Sequence, residues 1–185
     1  MGSRFYTTFP STFDTFTIVW EKIGFEIKIQ RIFLSDPEHK SEAKALHSFK
    51  QIKVGSSPPI ILLGENIQRF LKGEEIKFDI RLLDFNRCIG VQKKVLLVEY
   101  EIPRGWVSTY KQIADKIGLH NGARVVGNAL ARNPFPIVIP CHRVIKTNGD
   151  LGGFQGGINM KRSLLEMEGI EFSAKGKVIT ERIYF

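Results

Sequence analysis

Cysteine is scarce in this chain: two in 185 residues, Cys88 and Cys141. The four histidines (His39, His47, His120, His142) are scattered, and no Cys-x-x-Cys or His-Glu-x-x-His spacing occurs. Neither a structural nor a catalytic zinc is therefore expected, and no cofactor is implied. A Cys88–Cys141 disulfide is formally possible, but the cytosol keeps most thiols reduced. No apolar run approaches the ~20 residues of a membrane-spanning helix. Residues Met1 to Phe5 lack the long apolar core of a signal peptide, so the protein is expected in the cytosol, away from membranes. The glycine-rich stretch near the C-terminus lacks the terminal Lys-Ser/Thr of a phosphate-binding loop. No strand leads directly into it, so nucleotide binding is excluded.

What is present is ordinary for a soluble globular protein, with 43% apolar and 25% charged residues. The length suits one large domain or two small ones. Lys plus Arg is 27 and Asp plus Glu is 19, a net charge of +8. That surplus suits a polyanion such as nucleic acid, although a soluble basic protein without such a partner would show it too.

Residues 1 to about 56 carry strand signals. Phe16–Trp20 and Phe25–Leu34 are rich in β-branched and aromatic residues, and Phe25, Ile27 and Ile29 alternate with polar neighbours. Ser35–Lys50 reads as a loop or short helix. Pro58-Pro59 opens a helix whose inner face is Ile60, Leu63, Ile67, Phe70 and Leu71, with Gly73 as its C-terminal stop. Phe78-Asp79-Ile80 reads as a last strand before a domain boundary near residue 85. No chemistry is visible in this half.

From there the pattern is helical. Cys88, Val91, Val95 and Val98 form a stripe in a helix of about 86 to 100, with Cys88 as a small core residue. Thr109 and Gln112 make a capping box, and Gly118 stops the helix they begin. A second helix runs from about Ala123 to Arg132. Its inner residues are Val126, Ala129 and Leu130; its outer face shows Arg124, Gly127, Asn128 and Ala131. This spacing fits a helix-turn-helix or a plain helical hairpin. An outer face of one arginine among small side chains suits close approach to another surface.

Pro134, Pro136 and Pro140 then bar a helix, and Ile137-Val138-Ile139 reads as a brief buried strand. Cys141 emerges at its end beside His142 and Arg143, where two cations are expected to favour the thiolate nucleophile. Lys146–Gly157 holds five glycines in twelve residues, either a ligand-wrapping or a merely flexible loop. A last helix, about Ile158 to Met167, places Glu168 on the apolar face with Leu164 and Leu165. A carboxylate there needs a partner unless the helix end is frayed and wet. Residues 170–185 offer Lys177–Thr180 as a possible strand.

These blocks together resemble the O6-alkylguanine-DNA alkyltransferases, the methylated-DNA–protein-cysteine methyltransferases. The likeness covers about residues 86 to 169. It runs in order through Ile102-Pro103-x-Gly105, Thr109-Tyr110, Arg124-Val125-Val126-Gly127, Asn133-Pro134, Pro140-Cys141-His142-Arg143-Val144 and Leu164-Leu165-x-x-Glu168-Gly169. The resemblance implies an α+β protein: an N-terminal supporting domain (1–85) with a ribonuclease-H-like sheet and helix, a mostly helical catalytic domain (86–170) with a helix-turn-helix, and a tail (171–185).

It also implies roles. Cys141 would take the alkyl group from a flipped guanine, once only and without cofactor. His142 would receive the thiol proton through a water, and Glu168 would orient it. Asn133 would tie the recognition helix to the active-site segment. Tyr110 would aid nucleotide rotation and donate to guanine N3. Arg124 would fill the gap left by the base, with Lys111, Gly127, Asn128 and Thr147 also facing the minor groove of double-stranded DNA. Backbone groups at Val144, Phe154 and Gln155 would read the guanine edge. The implied protein is a monomeric DNA-repair methyltransferase. Two departures stand out: Val125 and Asn128 are bulkier than usual in the recognition helix, and Phe154-Gln155 replaces Tyr-Ser. A non-catalytic lesion sensor would lack Cys141, and a helix-turn-helix regulator would not need Glu168 or the glycine loop.

Overall fold

In the computed structural model, which describes residues 2–185, the chain divides into two compact units. One comprises the residues up to Arg87 together with Pro134–Val138; the other comprises Cys88–Asn133 and Ile139–Phe185.

The first unit is built on a sheet of β1 (Ser3–Ser11), β2 (Asp14–Ile23), β3 (Glu26–Leu34) and β4 (Lys53–Val54) in the order β3-β2-β1-β4. The first three strands form an antiparallel meander, and β4 lies parallel to β1. Helices α1 (Ser41–Ser48) and α2 (Pro58–Leu71) complete it. Successive strand residues face opposite ways. Tyr6 pairs with Val19 on one face and packs with Phe33 and with Ala45 of α1. Phe9 pairs with Phe16 on the other, where α2 approaches closely: a Cβ at Gly64 would lie 2.3 Å from the Phe9 ring. Covered on both faces, β2 reads as an unbroken buried run, Phe16–Trp20. The predicted apolar face of α2 is buried throughout.

Two expectations for this half change. Phe78-Asp79-Ile80 has no regular structure. Its Phe78 ring packs against Phe70 at 5.6 Å, so a side chain anchors the segment without a ladder. The chain meets the sheet later, where Leu83 bridges Ile29 in parallel. β1, which the sequence reading did not single out, is a central strand.

The second unit contains α3 (Gln92–Tyr100), β5 (Ser108–Thr109), α4 (Tyr110–Lys116), α5 (Ala123–Ala131), β6 (Val144–Ile145), α6 (Ile158–Met167), β7 (Glu171–Phe172) and β8 (Val178–Ile179). The helix expected over 86–100 begins only at Gln92, because Gly90 takes φ 60° and interrupts it. Its buried face is Val95, Leu96 and Glu99, so Cys88 and Val91 fall outside it. The Thr109–Gln112 capping box opens α4. β5 and β6 pair in parallel, above a core of Val107, Ile145, Leu151, Leu165 and Ile170. Residues beyond 170 are tied into this unit: the Tyr184 N–H donates to Val107 O at 2.8 Å, and the Val178 N–H to Gly149 O at 2.9 Å. Among the described residues no helix is long and apolar enough to cross a membrane.

The expected strand Ile137–Ile139 is instead a tight turn at Ile137-Val138. Flanking prolines remove the donors a ladder would need. Ile137 sits at φ 73°, a left-handed conformation that costs a β-branched residue about 1–3 kcal/mol. All three side chains are buried.

Candidate active site

The site lies wholly within the second unit. Cys141–Arg143 forms one 3-10 turn just before β6, so three consecutive side chains fan out from a rigid support. Cys141 is buried, and Asn133 holds it: Asn133 Nδ2 donates to Cys141 Sγ and to Ile139 O, each at 3.2 Å. The expected activated thiol is not what the structure shows. Burial, then the nearby Glu99 carboxylate, push the Cys141 thiol up to about 12, outweighing the Asn133 hydrogen bond and the Lys161 charge. His142 and Arg143 do not stabilise the thiolate, because both direct hydrogen bonds to Glu168.

Their commitment is Glu168, at the end of α6. His142 Nε2 lies 2.9 Å from Glu168 Oε1. Arg143 closes the other side, with Nε 2.9 Å from Oε2 and Nη2 2.8 Å from Oε1, while its Nη1 donates to Ile102 O at 2.7 Å. Burial alone would raise the Glu168 carboxyl; the His142 and Arg143 charges and hydrogen bonds hold it at about 2. Burial lowers His142 despite its anionic partner. A neutral His142 beside a carboxylate donates its Nε2 proton, leaving Nδ1 as the basic nitrogen. The carboxylate thus has its partners, and the helix end is not frayed.

Tyr110, Lys111, Arg124, Gly127, Asn128, Thr147, Phe154, Gln155 and Cys141 line one cleft of about 1630 Å³. Arg124 and Asn128 are exposed on α5, with Val125 beside them. Burial first, then the Cys141 charge, raise the Tyr110 hydroxyl to about 12. Gly152 is required where it stands: it takes φ +71°, and a Cβ there would lie 2.5 Å from Tyr110 Oη. Val144 does not line the cleft. It is buried, its N–H donates to Cys141 O and its C=O accepts from Lys161.

Three functional candidates escaped the sequence reading. Arg143 was seen only as a neighbour of the thiol. Lys161 is fully buried on the inner face of α6, donating to Val144 O (2.6 Å) and Gly153 O (3.3 Å), and burial lowers it to about 8. Glu99 is buried in α3 with neither carboxylate oxygen hydrogen-bonded, and burial raises it well above the usual range. Lys161, Leu164, Leu165 and Glu168 follow helical spacing, and so do Val95, Leu96 and Glu99. A charged residue on each stripe was the available signal. Among the described residues no group of three or more His, Cys, Asp or Glu side chains is placed to hold a metal ion.

A mixed α+β chain holds one cysteine sulfur on an asparagine donor, at the wall of a cleft and next to a His–Glu–Arg cluster, which defines a cysteine-centred site. The sequence model described as the DNA-binding domain of 6-O-methylguanine DNA methyltransferase matches residues 90–170. The methylated-DNA–protein-cysteine methyltransferase of Methanothermobacter thermautotrophicus is 45% identical over 132 residues, 70% of this chain and 74% of that protein. The chain belongs to the methylated-DNA–protein-cysteine methyltransferase family. That of Candida glabrata is 37% identical over 139 residues, 73% of this chain and 67% of its own. Among solved structures, Mycobacterium tuberculosis OGT in complex with DNA superposes with a TM-score of 0.70 at 32% identity, covering 88% of this chain and 91% of that one. The O6-methylguanine-DNA methyltransferase of Pyrococcus kodakaraensis gives 0.66 at 27% identity, covering 90% and 99%.

Proposed function

We propose that this chain repairs O6-alkylguanine in double-stranded DNA by moving the alkyl group onto Cys141. The observation that carries the reading is the position of Cys141: a buried sulfur at the wall of the same cleft that Arg124, Gly127 and Asn128 line. α4 and α5 act as a helix-turn-helix on the minor groove. The small outer residues of α5 suit that narrow groove, and Arg124 occupies the gap when the damaged base rotates out. Tyr110, at the cleft wall, crowds the nucleotide and hydrogen-bonds guanine N3.

The chemistry follows from the charges. A thiol near 12 is almost wholly protonated at neutral pH, so deprotonation must accompany attack. Neutral His142 takes the proton through a water, and Glu168 stabilises the imidazolium that results. The Cys141 S–C bond forms as the C–O6 bond breaks, and Tyr110 donates a hydrogen bond that stabilises the guanine leaving as its anion. The proton taken from the thiol passes from the His142 imidazolium through water to neutralise that guanine. The Asn133 amide supports the developing sulfur anion. The thioether has no route back, so each molecule acts once.

Incubation with a duplex containing O6-methylguanine tests this. The peptide bearing Cys141 should gain one CH2, in a yield that stops at one per protein. Lesion binding with unchanged mass would instead make the chain a non-catalytic sensor.

A further inference from the structure

The glycine-rich segment between β6 and α6 is pinned from two sides. Underneath, Lys161 Nζ reaches Val144 O at 2.6 Å and Gly153 O at 3.3 Å. On the cleft side, Gln155 Nε2 donates to Asn133 O at 2.6 Å. Asn133 is fully buried and grips Cys141 Sγ with its own amide. Gln155 therefore closes a ring: from the loop to the residue past α5, from there to the sulfur, and back along the chain to the loop. Phe154, its neighbour, stands edge-on to the His142 ring at 6.3 Å. Cys141, Phe154 and Gln155 face the same cleft.

We propose that Gln155 is the residue that sets the size of adduct this protein accepts: its bridge to Asn133 fixes the loop as a near wall that admits a methyl group and hinders an O6 substituent of benzyl size. The inference rests on the alkyl-transfer reading above. In an in-line displacement the sulfur approaches the alkyl carbon opposite O6, so any substituent on that carbon projects sideways against the cleft wall. A methyl group has only hydrogens there. A larger group needs the wall to yield, and residues 152–157, with four glycines, are the part able to do so. The Gln155–Asn133 bond opposes that movement. Serine at 155 is too short to span the gap. Glutamate is as long as glutamine but offers no donor and sets its charge against a carbonyl.

Duplexes carrying O6-methylguanine or O6-benzylguanine should be incubated with wild type, Gln155→Ser and Gln155→Glu. The rate of Cys141 alkylation is read by intact mass, with folding checked by circular dichroism. Both variants are expected to raise the benzyl-to-methyl rate ratio about tenfold, equivalent to ~1.4 kcal/mol, the scale of one net hydrogen bond. The methyl rate of each variant is taken as its own reference, so the ratio and not the absolute rate carries the comparison. A raised ratio in Gln155→Ser alone would assign the effect to side-chain bulk and overturn the bridge. An unchanged ratio in both variants would overturn the proposal outright. Absence of methyl transfer in wild type would be a separate failure, that of the alkyl-transfer reading itself.

Discussion

Replacing Glu168 by Gln keeps the shape of the side chain and removes its charge. In the wild type the carboxyl stands at about 2, against 4.5 for an ordinary glutamate. At 1.36 kcal/mol per unit, that depression contributes about 3 kcal/mol to folding. The folded value is the lower one, so this stability is present above about pH 4.5 and is lost as the pH falls through about 2. Lowered His142 adds in the same direction, since a buried neutral imidazole resists protonation below its usual 6.5. Glu168→Gln also strands the buried Arg143 guanidinium without its anion, which raises the expected cost to about 3–5 kcal/mol. Hydrogen exchange of the α6 amides, followed from pH 7 to pH 3, reads this in the second unit. Wild type should lose protection steeply with acid, while Glu168→Gln starts lower and falls less. The double variant Arg143→Met/Glu168→Leu should recover most of the stability at pH 7, because a buried ion pair is often replaceable by apolar groups. It should still transfer alkyl groups poorly, since His142 has lost its orienting anion. Equal protection in wild type and Glu168→Gln across that pH range would refute the assignment of Glu168 as the buried anion of the site.

Asn133→Ala removes the donor to Cys141 Sγ and should slow alkylation about 10- to 100-fold, the value of one hydrogen bond to a developing charge; single-turnover mass spectrometry gives the rate. Arg124→Ala should leave thermal unfolding unchanged, because the side chain is exposed, while transfer from duplex DNA slows at least tenfold and transfer from the free base does not. Gly152→Ala should destabilise by about 1–3 kcal/mol through its positive φ and displace Tyr110, as urea denaturation and the transfer rate would both register. Glu99→Gln should gain stability at pH 7: the folded carboxyl lies above its unfolded value, so wild type loses stability as pH rises above 4.5, and that slope should vanish in the variant.

Much of this molecule was legible as pattern. The capping box, the buried stripe of α2 and the bounds of α6 follow from local rules that the tertiary structure leaves intact. The Cys141 segment was misjudged because proline spacing and apolar content do not reveal a positive φ: Ile137 gives no sign in sequence of the turn it makes. The thiol was misjudged for a different reason. Adjacency in sequence places His142 and Arg143 next to Cys141, but a 3-10 turn sends successive side chains in different directions, and Glu168, 26 residues from His142, claims both. Glu99 and Lys161 carry charges that sequence reasoning assigns to solvent; only packing shows that they do not reach it.

The insulation of Cys141 bears on the working life of the protein. On the alkyl-transfer reading proposed above, the sulfur is used once and must survive among soluble oxidants and electrophiles until then. Those reagents act on the thiolate, and a buried thiol near 12 offers almost none. Cys88, partly exposed in the same chain, is the built-in comparison: a small reagent such as iodoacetamide should label it well before Cys141. Low resting reactivity is then a form of storage, keeping each copy intact until damaged DNA reaches it.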